Sequence, residues 1–481
     1  MTRHATGESK NPVTYDLIVV GGGPGGSSVA TFVAKTGKKV LLLEKQRFPR
    51  HQVGESLLPM TVHGICPMLG VAEELKAQNY PVKTGSSFRW GRSPDIWSFQ
   101  FTGLKILDEA NAGYAYQVTR SKFDSILLDN ARRSGVDVRE EHTAVDLIRE
   151  NDRVVGLRYK DAAGAERSAR ARYVVDASGN TSAIHNHVGE RVYSKFFQNV
   201  AMYGYFLGGK RLPPPAPWGN ILCTAFPDGW FWYIPLSEEL TSVGVVIDKK
   251  HADRLRGGDQ DAVFRGLVDA CPVMKEYLAD ARRVTDGEYG QFRIRKDWSY
   301  CATRFWKPGV VILGDAAAFI DPVFSQGVHL STYSALQAAR SINTALDTPG
   351  ADEARLFDEF ERRYRIEFEM FYRFLITFYN TDQDVESYYW SARKFNRTEE
   401  TANDAFISLV SGVSSGEFFK AHGGSSRLLQ SYIETEKVRN PIEAAHRTFD
   451  VLPPAAHDLE TDRTAAYEGG LVPSADGLHW C

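Results

Sequence analysis

The sequence is poor in sulfur. Of 481 residues only five are cysteine, at positions 66, 223, 271, 301 and 481, and six are methionine. The cysteine count is odd and no Cys-x-x-Cys pair occurs, which argues against a disulfide framework and a structural zinc site. No metal site is expected, and a reducing cytoplasm fits. No apolar run reaches the roughly 18 residues of a membrane span, and the polar first residues lack the apolar core of a secretory signal. Cys481 is the last residue rather than the fourth from the end, so it is no prenylation acceptor. An excess of one charge is also missing: 57 basic residues face 60 acidic ones, net −3, with no clustered basic stripe. That excludes the electrostatic footprint of a nucleic-acid binder. Internal repeats and low-complexity tracts are absent.

What is present is a large globular chain. Hydrophobic residues make up 43% and charged residues 24%, which rules out wholesale disorder. Single cores stop growing at roughly 250–300 residues, so more than one packing unit is expected. The 12% of aromatic residues suits a pocket for a flat ligand as well as a dense core.

The first ordered element reads as a strand over Tyr15–Val20, apolar enough to be covered on both faces. The glycine-rich turn Gly21–Gly26 follows, then a helix from Ser27 to about Lys35. Gly37 ends that helix and Lys39–Glu44 is a second buried strand, completing a βαβ unit and implying a parallel sheet. A helix over Arg120–Ser134 precedes a strand running from Val138 to Ile148. Arg153–Tyr159 and Glu166–Arg172 form a hairpin, and Tyr173–Asp176 is a further buried strand. From about 195 to 300, strand-like runs alternate with turns, as in a mixed or antiparallel second sheet. Val310–Asp315 returns to the buried-strand style. Phe357, Phe360, Tyr364, Phe368, Phe371, Phe374 and Phe378 recur at helical spacing and place a long helix over Arg355–Tyr379, a core stripe that could also roof a pocket.

Gly21, Gly23 and Gly26, with Pro24 and Gly25 between them, sit between strand and helix. A tight turn, a close backbone approach to a pyrophosphate, and close helix–strand packing each demand glycine there, while the helix N-terminus attracts phosphate. Glu44 ends the second strand where a ribose-hydroxyl partner is expected, with Lys45 beside it. This pattern does not separate NAD from FAD. A second strand, Val311-Ile-Leu-Gly314-Asp315, ends in Gly-Asp and leads to Asp321-Pro322. An Asp there can bond ribityl hydroxyls, and the following helix start can face the negative side of an isoalloxazine. The pairing of the two motifs resembles the FAD-dependent aromatic hydroxylase superfamily, and Asp176-Ala-Ser-Gly179 resembles its middle motif. Arg120 stands where that superfamily often contacts flavin; a helix-start salt bridge is an equal alternative for it.

Gly229-Trp230-Phe-Trp232-Tyr-Ile234-Pro235 matches Trp-x-Trp-x-Ile-Pro. Two indoles at i and i+2 of a strand share one side and could wall a flavin chamber off from a substrate pocket. Lys83-Thr-Gly85-Ser-Ser-Phe88-Arg-Trp90-Gly91 follows the Lys-x-Gly-x-x-Phe-x-Trp-Gly pattern. Both segments resemble the flavin-dependent halogenases, as does Phe48–Pro59, which carries Arg50 and Ser56 and in that family lies along the flavin. The resemblance implies that Lys83 is the active-site lysine, that Trp230 and Trp232 guard it, and that backbone N–H groups of Gln326 and Gly327 bind chloride, with Gly327 also at the flavin. Tryptophan halogenases carry Glu where this sequence has Phe324. The likeness therefore runs to the branch acting on phenols or pyrroles, often carrier-bound, and within it to the chondrochloren-halogenase type, over about residues 15–400.

The resemblance implies reduced FAD supplied by a separate flavin reductase, reaction with O2 to a flavin hydroperoxide, attack by chloride, and passage of hypochlorous acid to Lys83. There it is held by hydrogen bond or as a chloramine before reaching a small phenolic, tyrosyl-like ring, free or on an acyl or peptidyl carrier protein. A single-component hydroxylase or prenyl reductase on the same scaffold, and a non-catalytic flavin-binding partner, stand as the alternatives. The expected fold is α/β: a discontinuous FAD-binding domain within 1–345 (about 1–83, 109–190 and 290–345). A mixed or antiparallel β-sheet substrate domain (about 84–108 and 191–289) is inserted into it. A mostly helical region, 346–481, ends in a mobile tail after Val451.

Overall fold

The computed structural model describes residues 14–214, 216–256, 258–395, 401–415 and 471–481. Two large sheets organise them. In the first, strands Val310–Ile312, Glu166–Asp176, Thr14–Val20, Val40–Leu43 and Asp137–Arg139 lie side by side, all parallel. Leu17, Ile18, Val19, Leu41 and Leu42 are fully buried, as the unbroken apolar runs require of strands covered on both faces. Helix Pro24–Ala34 packs against helices Arg120–Arg133 and Gly327–Asp347. The expected strand from Val138 to Ile148 is two strands, Asp137–Arg139 and Thr143–Glu150, because Glu141 adopts φ +61° and turns the chain between them. The second of these joins the expected hairpin, Arg153–Lys160 with Glu166–Asp176.

The second sheet is mixed and has nine strands. Arg293–Ala302, Arg191–Leu207, Leu240–Asp248, Gly229–Pro235 and Ile221–Phe226 run antiparallel to their neighbours. Gly85–Arg89 then adds parallel to Ile221–Phe226, and Trp97–Gln100 forms that edge. Its two faces part by the period of two. Phe231, Tyr233, Val243, Val245 and Ile247 pack outward with Phe264, Leu267 and Met274. Trp230, Trp232, Ile234, Tyr203 and Tyr205 point inward and merge with the core of the first sheet.

The long helix spans Glu353–Phe378, and all seven aromatic residues of its stripe are buried. Asp352 caps its start by accepting the Arg355 N–H at 3.1 Å. Among the described residues no helix is long and apolar enough to cross a membrane. Most of the expected mobile tail, 452–470, lies outside the described residues. Its end does not follow the expectation: residues 471–481 are docked on helices Gly327–Asp347 and Glu353–Phe378. The Trp480 ring lies between Arg340 and Arg363, at 5.1 and 4.7 Å, and its Nε1 donates to Ser341 Oγ at 2.9 Å. Arg340 Nε also donates to Gly477 O at 2.7 Å. One buried aromatic with satisfied polar partners outweighs a polar, proline- and glycine-rich composition.

Candidate active site

A cavity of about 440 Å³ opens between the carboxyl ends of the parallel strands and the inner face of the second sheet. Its first wall is backbone. Gly21 has φ +102°, and a Cβ there would lie 2.6 Å from Ala177 O. A Cβ on Gly26 would stand 1.9 Å from Gly21 O, so Gly26 serves packing behind the wall, whereas Gly21, Gly23, Pro24 and Gly25 line it. Helix Pro24–Ala34 begins without a side-chain cap, so its first N–H groups are left for a ligand.

Glu44 reaches the cavity with both oxygens partly used: Oε2 accepts the Gly22 N–H at 2.7 Å and Oε1 the Gln46 N–H at 2.8 Å. A carboxylate has lone pairs to spare for hydroxyl donors. Exposed Lys45 donates to Thr181 Oγ1 at 3.2 Å. Arg120 grips Asp124 in a two-pronged pair, at 2.8 and 3.0 Å, and Arg50 joins the same carboxylate at 3.1 Å. Of the two alternatives for Arg120, the helix-start salt bridge is formed, and the side chain also lines the cavity. Ser56 lines the cavity, and its Oγ is buried without a hydrogen-bond partner. This is the condition of a polar atom whose partner is a ligand.

Asp176 departs from its expected role. Its carboxylate is turned back into the protein, accepting the Ser178 N–H at 3.0 Å, the Ser178 hydroxyl at 2.6 Å and the Ser182 hydroxyl. It holds the turn Ala177–Thr181, whose residues form the wall in its place. Asx-type capping of the local backbone wins over a distant ligand. Gly314, with φ +55°, sits behind the wall and presents Asp315 to it. Burial pushes the Asp315 carboxyl up to about 6, against the opposing pull of Arg120 and Arg191. Pro322 and Gly327 line the cavity. Gln326 is the N-cap of the 21-residue helix Gly327–Asp347, so the N–H groups of Gln326 and Gly327 stand where no intrahelical acceptor exists.

The second wall is made of side chains. Trp230 and Trp232 lie 6.2 Å apart, ring to ring, and both line the cavity. Strand pairing sets Trp232 opposite Gly244, and a Cβ at Gly244 would lie 2.2 Å from the indole, so the glycine is its socket. Lys83 is not on this cavity's wall. It lies on Val82–Lys83, paired with Ala115–Tyr116, and is 1% exposed. Its Nζ donates to Leu57 O at 3.0 Å and lies 5.7 Å from the Phe101 ring centroid. Burial pushes its pKa down to about 7, opposed slightly by Cys223, which is the ladder partner of Trp232. Phe324 is stacked at 5.2 Å on Phe374 and meets Phe378 at 4.6 Å and Phe88 at 6.3 Å. The helical aromatic stripe thus closes over the Phe324 loop.

Several cavity residues carried no signal of their own in the sequence. Glu55 Oε1 accepts the Tyr205 hydroxyl at 2.8 Å, and His51 Nε2 lies 2.8 Å from the same hydroxyl. Burial, with Arg293, Arg295, Arg120 and Arg50 nearby, pushes His51 down to about 4. His51 and Glu55 belong to the Phe48–Pro59 segment, which could have flagged them. Tyr203 and Arg295 come from distant strands and could not be found by spacing.

The open helix start, the unpartnered Ser56 hydroxyl and the spare acceptors of Glu44 fit an FAD molecule along the first wall. A flavin cavity with paired indoles on one side and a buried low-pKa lysine beyond its wall defines a class, and the enzyme is a flavin-dependent halogenase, an oxidoreductase. The chain belongs to the tryptophan halogenase family, whose model matches residues 16–111 and 104–432. It is 32% identical to a tryptophan 2-halogenase of Chondromyces crocatus over 84% of this chain and 76% of that one. It is 29% identical to a 1H-pyrrole-2-carbonyl-[peptidyl-carrier protein] chlorinase of Pseudomonas fluorescens over 76% and 83%. The structure superposes on that of the myxobacterial chondrochloren halogenase, a variant FAD-dependent halogenase. The TM-score is 0.79 and the identity 51%, covering 98% of this chain and all of that one.

Proposed function

We propose that this halogenase chlorinates an activated aromatic ring, phenolic and tyrosyl-like, presented free or on a carrier protein during natural-product biosynthesis. The observation that carries the reading is Lys83: a buried amine with its pKa near 7, off the flavin cavity's wall and close to Cys223, the ladder partner of Trp232. When bound, reduced FAD supplies the activation of O2 that converts halide to hypohalous acid. A separate flavin reductase provides the reduced cofactor.

The chain's own residues do the rest. Glu44, Arg50, Ser56 and Asp315 orient the cofactor along the backbone wall. The N–H groups of Gln326 and Gly327 hold chloride, since a helix start attracts an anion. The indoles of Trp230 and Trp232 keep an aromatic substrate from the cavity and so separate halogen transfer from hydroxylation. Burial leaves a large share of the Lys83 amine neutral near pH 7. A neutral amine has a free pair with which to take chlorine from hypochlorous acid, and release to a phenol restores it. Phe324, sunk among Phe88, Phe374 and Phe378, gives that side an apolar surface for a ring. It offers no carboxylate to an indole N–H, which sets the reading apart from the tryptophan substrate named for the C. crocatus relative. The cysteines carry no disulfide, in keeping with a cytoplasmic enzyme.

The test is turnover by mass spectrometry with FAD, a flavin reductase, NADH, air, chloride and a panel of phenols and pyrroles, free and carrier-bound, together with tryptophan. A product with the chlorine isotope pattern from a phenol supports the reading, and reaction of the carrier-bound form alone selects tethering. Chlorination of tryptophan alone overturns the substrate class. An oxygenated product without chlorine selects the hydroxylase, and flavin binding without turnover selects the non-catalytic partner.

A further inference from the structure

The indole of Trp230 is anchored by a residue far along the chain. Its Nε1 donates to the hydroxyl of Tyr379 at 2.6 Å, and that hydroxyl donates to Asp321 Oδ2 at 2.6 Å. Asp321 is fully buried, and every polar atom it has is engaged. Oδ2 also accepts from Asn199 Nδ2 at 3.0 Å, Oδ1 from the Val323 N–H at 3.3 Å, and its N–H donates to Ser299 Oγ at 3.0 Å. Its carbonyl accepts the Gln326 side-chain amide. Asp321 thus joins the loop that carries the Gln326 and Gly327 amides to the indole, through one hydroxyl at the end of the long helix. Rings of Trp90 and Phe197 pack on Tyr379 at 5.6 and 5.0 Å, so the hydroxyl has little room to turn elsewhere.

We propose that Tyr379 and Asp321 are positioning residues that hold the Trp230 indole in register with the halide loop, so that hypohalous acid formed in the flavin cavity passes to Lys83 instead of escaping. The proposal rests on the reading of Trp230 as part of the wall between cavity and lysine. A phenylalanine at 379 would keep the ring packing and remove the hydroxyl, leaving the indole N–H without its acceptor and free to shift, and Asp321 Oδ2 with Asn199 as its remaining donor.

The experiment measures chlorinated product per reduced flavin consumed, with added methionine trapping hypochlorous acid released to solvent. In Tyr379→Phe the ratio is expected to fall about tenfold, the worth of one such hydrogen bond. Flavin content, flavin oxidation and substrate KM stay as in wild type, and trapped methionine sulfoxide rises. Asp321→Asn approaches the same link from its other end and should raise the leak as well. Trp230→Phe removes the donor, so adding Tyr379→Phe to it should cost little more. An unchanged ratio in Tyr379→Phe, or losses that multiply in the double variant, would overturn the proposal. A wild-type enzyme that makes no halogenated product would remove the wall reading and the proposal together, an outcome distinct from both.

Discussion

The two walls of the cavity are built in opposite ways. The first is a surface of main chain, made by three strand ends, and its side chains mostly brace the turns from behind, as Asp176 does. The second is a surface of rings and hydroxyls drawn from different elements: Trp230 meets Tyr379 at the end of the long helix, and Trp232 sits over Gly244 on the neighbouring strand. A backbone wall can bind phosphates and a flat cofactor through N–H groups alone. On the proposed reading, it is the side-chain wall that decides where an oxidant goes once it exists.

That contrast can be broken at measurable points. The largest effect is expected on the backbone wall. Gly26→Ala drives a Cβ to within 1.9 Å of Gly21 O, which costs about 3 kcal/mol or more because main chain cannot step aside. Loss of soluble protein or of bound flavin in a titration is the expected result. Next comes Lys83→Ala: halogenated product falls at least about a hundredfold, while reduced-flavin consumption and flavin affinity persist, because the lysine is not on the cofactor's wall.

A pH profile sharpens the same point. A lysine whose pKa is lowered to about 7 gains its neutral form as pH rises through 7. Halogenation at saturating reduced flavin should then rise about tenfold from pH 6 to pH 8, with the rise missing from flavin oxidation measured alone. A fall over that range would mean the ammonium form holds the oxidant by hydrogen bond. The smallest effect is expected at Gly37→Ala. Gly37 has φ +81° with nothing within 4 Å of a Cβ, so the cost is backbone strain of about 1 kcal/mol. Melting should register it and flavin titration should not.

The same division explains what could be read from the sequence. Glycine is irreplaceable where main chain must turn or approach closely, so Gly21, Gly23 and Gly26 announce the first wall by spacing alone. The alternation of Trp230 and Trp232 announces the inner face of a strand. Asp176 shows the limit of spacing: an Asp before Ala-Ser-Gly can serve a ligand or its own turn, and here its carboxylate accepts from Ser178 and Ser182. Tyr379, Tyr203 and Tyr205 were invisible because their partners are set by packing between distant elements. Asp321 follows the Gly-Asp motif and precedes a proline, yet its hub of hydrogen bonds depends on Asn199, Ser299 and Tyr379. At the chain's end composition argues for mobility, but Trp480 is buried between two guanidinium groups, a contact set by packing between distant elements.

The central claim is that the second wall hands an oxidant to Lys83. It is tested most directly by following flavin oxidation and product mass together in wild type and Lys83→Ala, with reduced FAD, chloride, O2 and a phenol. The account predicts a chlorinated product in wild type and its loss in the variant, with flavin oxidation continuing at the same rate. Chlorination that survives in the variant, or a hydroxylated product without chlorine in wild type, would contradict it.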